Sequence, residues 1–307
     1  MPVVRRPFLA PVVVATAILA LVLVGALTME PVVAKPPTLR AHPNLAPFRG
    51  VGAWIDIYDT RSWRHPRRVV HDLAAHGVRT IYLQTGNDAR PRPIVNPQGA
   101  AEFLDAAHAA GLDVVGWYLP GFVDPATDLQ RVQDAIRFTT PAGNRFDGFG
   151  LDIESAAVRN VRTRTSRLLK LSDAIRAVAG PTYALGAITP SPHGMVVHRR
   201  YWPRFPYRGL ALRYDALLPM AYFTWRDTAA IDPQDYVALS LEILRAGVGS
   251  GGVPIHVIGG IAQDASTSSV RGFAAAVGSD GVIGDSLYSY RGVTPKMWNL
   301  LAPAPRG

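Results

Sequence analysis

From Gly50 onward, short apolar and β-branched runs alternate with longer stretches in which apolar positions recur every three or four residues. The strand-like runs are "VGAWIDIY", "RTIYLQT", "DVVGWYL", "FGLDIE", "TYALGAI", "DALLPMAY", "PIHVIGG" and "GVIGDSLY". Helical spacing appears between them in "PRRVVHDLAAHG", "GAAEFLDAAHAAG", "DLQRVQDAIRFTT", "RTSRLLKLSDAIRAVAG", "PQDYVALSLEILRAG" and "STSSVRGFAAAVG", with a broken helix near residues 197–213. Nearly continuous apolar strands belong to parallel sheets covered by helices. Repetition of the strand and helix unit over residues 50–302 predicts an α/β fold, a single-domain (β/α)8 TIM barrel, with a doubly wound sheet as the alternative.

The chain ahead of this domain reads differently. Arg5 and Arg6 precede an uncharged run from Pro7 to Met29, and Val32 and Ala34 supply the small residues a signal peptidase requires. Residues 1–34 are therefore a signal peptide or, because residues 8–29 nearly suffice to span a bilayer, an N-terminal membrane anchor. Either reading predicts export, to the extracellular space or the cell envelope. The Pro-rich "KPPTLRAHPNLAP" makes residues 35–49 a linker.

Composition narrows the partners. With 48% hydrophobic and 18% charged residues, the chain can bury a large core. Its net charge of +9 suits an anionic neighbour such as a wall polymer or membrane surface. Only Lys35, Lys170 and Lys296 are lysines, so the excess is arginine spread along the chain. No basic run interleaved with aromatics points to nucleic acid. The absence of cysteine excludes disulfides and thiolate chemistry. The eight histidines show no paired ligand spacing, so neither a metal nor any other cofactor is expected.

Candidate chemistry centres on "FDGFGLDIES", residues 146–155. Side chains in a strand alternate faces, so Gly150, Asp152 and Glu154 share one face. If that face lines the barrel, two carboxyl groups meet at the strand's carboxyl end, where such barrels do their chemistry. Mutual repulsion and lost solvent raise the pKa of one of them, which suits protonation of a glycosidic oxygen. Of the four glutamates, Glu30, Glu102, Glu154 and Glu242, only Glu154 ends a strand. The alternative is a surface pair bridged to Arg159 or Arg162. Aromatics near the predicted mouth, notably Tyr58, Trp117, Tyr222 and Trp225, are expected to stack on sugar faces, with core packing as the alternative for each. His193 follows the fifth strand as a further contact candidate or a solvated loop residue. "GDSL" at residues 284–287 lacks a following histidine, and "GVGSGG" at residues 247–252 precedes a strand instead of following one; neither supports an esterase or a dinucleotide site.

"DGFGLDIE" resembles the fourth-strand signature of family 18 glycoside hydrolases, the chitinases and their relatives. Asp147, Gly148, Asp152 and Glu154 match, and Gly150 stands where the family has an aspartate. "YDALLPMAYF" is similar to the sixth strand, with Met220 and Tyr222 matching and Phe223 in place of an aspartate. The third strand lacks the family's Ser-x-Gly-Gly. A lesser similarity to family 25 lysozymes rests on "DIE" and "AAGLDVVGWY". The family 18 resemblance implies Glu154 as catalytic acid, Asp152 as the group positioning a substrate acetamide, and Tyr222 holding that acetamide. For a sugar without an acetamide, Asp56, Asp59 and Asp285 are the candidate second carboxylates, Asp56 and Asp285 being expected to meet at the mouth across from Glu154. The chain is thus expected to be a monomeric exported hydrolase of a polysaccharide or cell-wall glycan, against a carbohydrate-binding barrel without catalysis or an envelope-anchored scaffold.

Overall fold

The computed structural model describes residues 44–225, 231–250 and 252–301. The expected signal or anchor segment, and the linker up to residue 43, lie outside these residues. The strands are β1 (Gly50–Ile55), β2 (Thr80–Asn87), β3 (Asp113–Leu119), β4 (Gly148–Asp152), β5 (Ala184–Thr189), β6 (Ala216–Pro219), β7 (His256–Ile261) and β8 (Gly284–Tyr288). All pair in parallel in the order β6, β5, β4, β3, β2, β1, β8, β7. Bridges from Leu217 to Ile255 and from Met220 to Ile258 join β6 to β7, closing the ring as the (β/α)8 expectation requires.

Helices fill each connection: α1 (Thr60–Trp63) and α2 (Pro66–Ala75) after β1, then α3 (Pro97–Ala109), α4 (Pro125–Arg137) and α5 (Val161–Ala179) after β2, β3 and β4. Next come α6 (Pro192–Val197) and α7 (Tyr207–Ala211) after β5, then α8 (Pro233–Val248), α9 (Thr267–Ser279) and α10 (Pro295–Trp298) after β6, β7 and β8. Five of them start with proline behind a capping side chain: Asn96, Asp124, Ser191, Asp232 and Thr294 each accept a hydrogen bond from a backbone N–H of the first turn. Such a cap is worth about 1 kcal/mol, and proline at the first position loses no helical bond. Asp124 thereby starts α4 at Pro125, three residues ahead of the apolar periodicity. The broken helix resolves into α6 and α7, since Pro203 and Pro206 lack the N–H groups that would join them. Among the described residues, no helix is long and apolar enough to cross a membrane.

Two apolar layers hold the ring. The outer layer packs odd-numbered strand residues such as Val51, Phe149, Leu151, Leu185 and Leu217 against the helices. The inner layer fills the barrel with Phe48, Trp54, Tyr82, Trp117, Ile188, Leu218 and Met220. Trp54 stacks on Tyr82 at 4.2 Å and meets Trp117 edge-on at 5.8 Å. Each ring's polar handle is used. The Trp54 indole donates to Ser286 Oγ at 2.8 Å, His256 Nε2 lies 3.0 Å from that hydroxyl, and His256 Nδ1 lies 2.9 Å from the Phe48 carbonyl. A proton relay satisfying all four groups runs from Trp54 to Ser286 to His256 to Phe48, and it requires neutral histidine. Burial pushes the His256 pKa down to about 4, which agrees.

Asp285 departs from its expected place. Strand β8 begins only at Gly284, and Asp285 pairs in register with Val51 and Val257 of the outer layer. With a period of two it therefore faces the helices near the start of β8, and Tyr288 takes the mouth. Neither carboxyl oxygen of Asp285 has a hydrogen-bond partner in another described residue. Its residue exposure is 0%, and burial raises its pKa to about 8. An unfolded aspartate titrates near 3.9. Between the two values the folded state keeps a proton that the unfolded state has lost, so raising the pH weakens the fold by about 1.4 kcal/mol per pH unit from this group. Asp285→Asn is expected to remove that slope. Denaturant unfolding at about pH 5 and about pH 8 checks this; an unchanged slope means the Asp285 carboxylate is ionised in the fold.

Candidate active site

The alternation expected of β4 is present. Phe149, Leu151 and Ile153 face the outer layer, while Gly150 and Asp152 lie in register with the inward Gly186 and Ile188 of β5. Glu154 continues the inward parity just past the strand. Asp152 is 6% exposed, and its Oδ1 has no hydrogen-bond partner among the described residues. Burial, and secondly the charge of Glu154, hold its pKa well above the ordinary carboxylate range. The Glu154 carboxyl is also raised by desolvation. As a residue, however, Glu154 is exposed, so solvent relieves it more and the larger burden falls on Asp152. Two coupled carboxyls of this kind titrate as a unit, with a proton retained at pH values where isolated carboxylates have lost theirs.

Glu154 forms one wall of a pocket of about 230 Å³. The loop after β5 contributes Pro190 and Ser191, α6 contributes Met195, and Met220 and Trp225 come from beyond β6. Tyr201 closes the remaining side and donates its hydroxyl to the backbone carbonyl of Glu154. That bond fixes the loop carrying the carboxyl and leaves the carboxyl itself free to act. The lining is mostly carbon, which strengthens any electrostatic interaction made inside it.

The other predicted residues divide. Tyr222 is buried, meets the Trp225 ring edge-on at 5.8 Å and lies 6.2 Å from the Tyr288 ring. Burial raises its pKa, with Tyr288, Asp152 and Glu154 adding to the rise. Trp225 is 40% exposed and lines the pocket. Asp56 follows β1 directly, accepts from Tyr58 N–H at 2.8 Å and Asp59 N–H at 3.0 Å, and receives the Tyr288 hydroxyl at 3.0 Å. Tyr288 also feels Asp152 and Glu154, so one phenol links Asp56 electrostatically to the pair. Tyr58, 59% exposed, lies on the rim with the Arg90 guanidinium 5.4 Å from its ring centroid. Trp117 does not reach the pocket: it is 4% exposed and packs inside the barrel, its indole donating to the Tyr82 carbonyl. Asp59 is also unsuited to catalysis, since it is buried and caps α1 through Ser62.

The family 18 positions gain physical explanations. Asp147 binds Val114 N–H at 2.7 Å and His108 at 2.9 Å, stitching β3 to β4 at the end away from the mouth. Phe223 belongs to the outer layer and packs on Phe273, facing away from the pocket. His193 is not a pocket residue; it lies edge-on to Tyr236, and the histidine in the pocket is His198. Ser286 of "GDSL" does meet a histidine, His256, which precedes it in the chain. Both are fully buried in the barrel, which excludes a substrate from that pair. Sequence reasoning missed Tyr201, Met195 and His198 altogether. The broken helix read near residues 197–213 covers His198 and Tyr201 but gave no face to either, and Met195 lies just ahead of it, in α6.

No protein-family model matches the chain, and no curated protein matches it. Solved structures do. An endo-β-1,4-mannanase from Thermotoga petrophila superposes with a TM-score of 0.60 at 13% identity, covering 79% of this chain and 68% of that one. The PgaB glycoside hydrolase domain from Bordetella bronchiseptica gives 0.56 at 11%, covering 83% and 99%. A chitinase from Chromobacterium violaceum gives 0.56 at 14%, covering 82% and 97%. These similarities are of fold.

Gly150 supplies the test of this geometry. A Cβ there would lie 3.0 Å from Ile188 Cδ1 and 3.4 Å from Trp117 Cβ, so the family's aspartate would require the Ile188 side chain to shift. Gly150→Asp is expected to cost about 3 kcal/mol by overpacking and by burying a carboxyl, with Gly150→Ala costing about 1. Urea unfolding measures both; a Gly150→Asp protein as stable as the parent would show that the barrel interior yields at this point.

Proposed function

We propose that this protein is an exported glycoside hydrolase that cleaves a polysaccharide or cell-wall glycan by general acid catalysis from Glu154. The observation that carries the reading is a desolvated carboxyl pair at the carboxyl end of a barrel strand, with Asp152 buried and Glu154 on the wall of an apolar pocket. Fold likeness to a mannanase, a chitinase and the PgaB domain supports the same class of chemistry. In this reading a sugar packs against Trp225, and its glycosidic oxygen meets the Glu154 carboxyl. Glu154 donates its proton to the leaving oxygen as the bond to the anomeric carbon breaks. Asp152, protonated in the resting site, puts no second negative charge beside the Glu154 carboxylate left after transfer; water then adds at the anomeric carbon and its proton returns to Glu154.

The positive charge at the anomeric carbon is met in one of two ways. With an N-acetylated sugar, the substrate acetamide attacks and Asp152 and Tyr222 orient it. With other sugars, Asp56 is the mouth carboxylate joined to the pair through Tyr288. Asp285 has no part in either. A binding barrel without catalysis is the second reading, favoured by Gly150 and Phe223, which leave β4 and β6 each one carboxylate short of the family 18 pattern.

Glu154→Gln is expected to lower hydrolysis by 100-fold or more, on the order of general acid catalysis, while saccharide binding persists. Because the acid must be protonated, activity should fall as pH rises through the raised titration of the pair. Release of reducing ends across a pH series is the measurement, and an active Glu154→Gln enzyme sinks the mechanism.

Export is proposed from Arg5, Arg6 and the apolar run of residues 7–29. A fusion of residues 1–40 to a reporter active only outside the cytoplasm should give signal, weakened by replacing both arginines. An intact fusion retained in the cytoplasm overturns it.

A further inference from the structure

A second depression lies on the rim on the side away from the apolar pocket. In the closed strand order, β8 is four places from β4 and β1 four places from β5, so the exits of β1 and β8 stand opposite those of β4 and β5. There, α1, the start of α2 and the turn at residues 290–292 enclose a groove of about 320 Å³ lined by Arg61, His65, Arg68, Asp72, Tyr290 and Arg291. Its surface is mainly polar, in contrast to the pocket beside Glu154.

The charges in this groove are not balanced from within. Asp59 is occupied with Ser62, and Arg291 Nε lies 3.7 Å from it. Asp72 accepts the Tyr290 hydroxyl at 2.9 Å and faces His76 at 3.7 Å. The side chains of Arg61 and Arg68 are exposed and make no hydrogen bond or ion pair among the described residues. Four arginines and two histidines occur within residues 61–71, with no acid among them. Arginine presents a rigid fork of donors suited to carboxylate and phosphate, so guanidinium groups converging on one groove are an acceptor for anionic groups.

The groove also communicates with the mouth. The β1 exit loop carries Asp56, which receives Tyr288, and Asp59, which faces Arg291. A glycan lying across the mouth from the Glu154 pocket passes over this loop and reaches the basic groove. We propose that the groove binds the acidic groups, carboxylate or phosphate, of an anionic glycan, so that the substrate of the site described above is an acidic polysaccharide. This rests on the glycosidase reading for the bond cleaved, but the binding it predicts is measurable without turnover.

The test uses the full-length protein in mild detergent and fluorescence anisotropy with four labelled probes: an oligogalacturonate, a poly(glycerol phosphate) oligomer, a neutral manno-oligosaccharide and a single-stranded DNA of matched charge. An acidic glycan probe should bind more tightly than the neutral one, and Arg61→Gln with Arg68→Gln should weaken that binding about tenfold. Neutral binding should be unchanged. Preference for the galacturonate assigns carboxylate; preference for the glycerol phosphate oligomer assigns phosphate. Arg64→Gln with Arg67→Gln removes the same charge outside the groove and should have little effect; an equal loss there reduces the effect to net charge and overturns the proposal. DNA bound as tightly as the acidic glycan, with the same dependence on Arg61 and Arg68, also overturns it. Should the glutamine pair fail to fold, Arg61→Lys with Arg68→Lys keeps the charge, loses the fork and should give an intermediate loss. Glu154→Gln should bind the acidic glycan normally. If no glycan is cleaved but this binding holds, the hydrolase reading falls and the groove stands; if a glycan is cleaved and the arginine pair has no effect on its binding, the groove falls alone.

Discussion

The stacking of Trp54 on Tyr82, with Trp117 edge-on to it, sets the terms for the rest of the barrel. Rings from β1, β2 and β3, with Phe48 just ahead of β1, take up so much of the interior that several other inward positions must be small. A Cβ at Gly52 would lie 2.5 Å from the Tyr82 ring, and at Gly186 2.9 Å from the Phe48 ring. Each such contact is closer than a packed interior tolerates, so glycine there is a matter of volume. The arrangement lets strands without bulk face strands with it, and the Ser286 and His256 relay satisfies the Trp54 indole, one of the buried polar groups the rings bring with them.

The same packing decides what the mouth contains. Gly150 is held small by Ile188 and Trp117, so the first inward position of β4 able to carry a functional side chain is Asp152, directly above a dry floor. A carboxyl on such a floor cannot be hydrated from below, and it keeps its proton. Glu154, two residues on, stands above the floor and partly in solvent. The pair is therefore graded, with a buried acid under an accessible one, and the grading follows from the height of the aromatic plug.

Much of this was legible from residue order. The βα rhythm identified the barrel because every strand is covered on both faces, and parity put Asp152 and Glu154 on one face, which the barrel turns inward. Parity needs an origin, though. Read as one strand, "GVIGDSLY" misplaces Asp285 at the mouth, whereas β8 starts at Gly284 and points the carboxyl at the helices. Trp117 was correctly assigned to β3, but nothing in "VVGWYL" tells how high the interior is filled. Tyr201 and Met195 were illegible for a different reason: α6 is six residues long, too short to show a period, and the stretch beyond it is ordered by contacts with β4 and α5, far away in sequence.

The rim is polar on one side and apolar on the other, and the connections explain how. Beyond β5 and β6 the chain leaves the sheet through proline-interrupted segments that turn Met195, Trp225 and Tyr201 toward the pocket. Beyond β1 it enters α1 and α2, whose buried side is carried by Ser62, Pro66, Val69, Val70 and Leu73, leaving the arginines between them exposed. Since a short helix gains most of its stability from its buried face, the exposed positions are free of folding constraints. Four arginines there bring mutual repulsion that folding does not require. Such a concentration is intelligible where a ligand supplies the opposite charge, and the mouth, bridged by Asp56 and Tyr288, is where that ligand would extend.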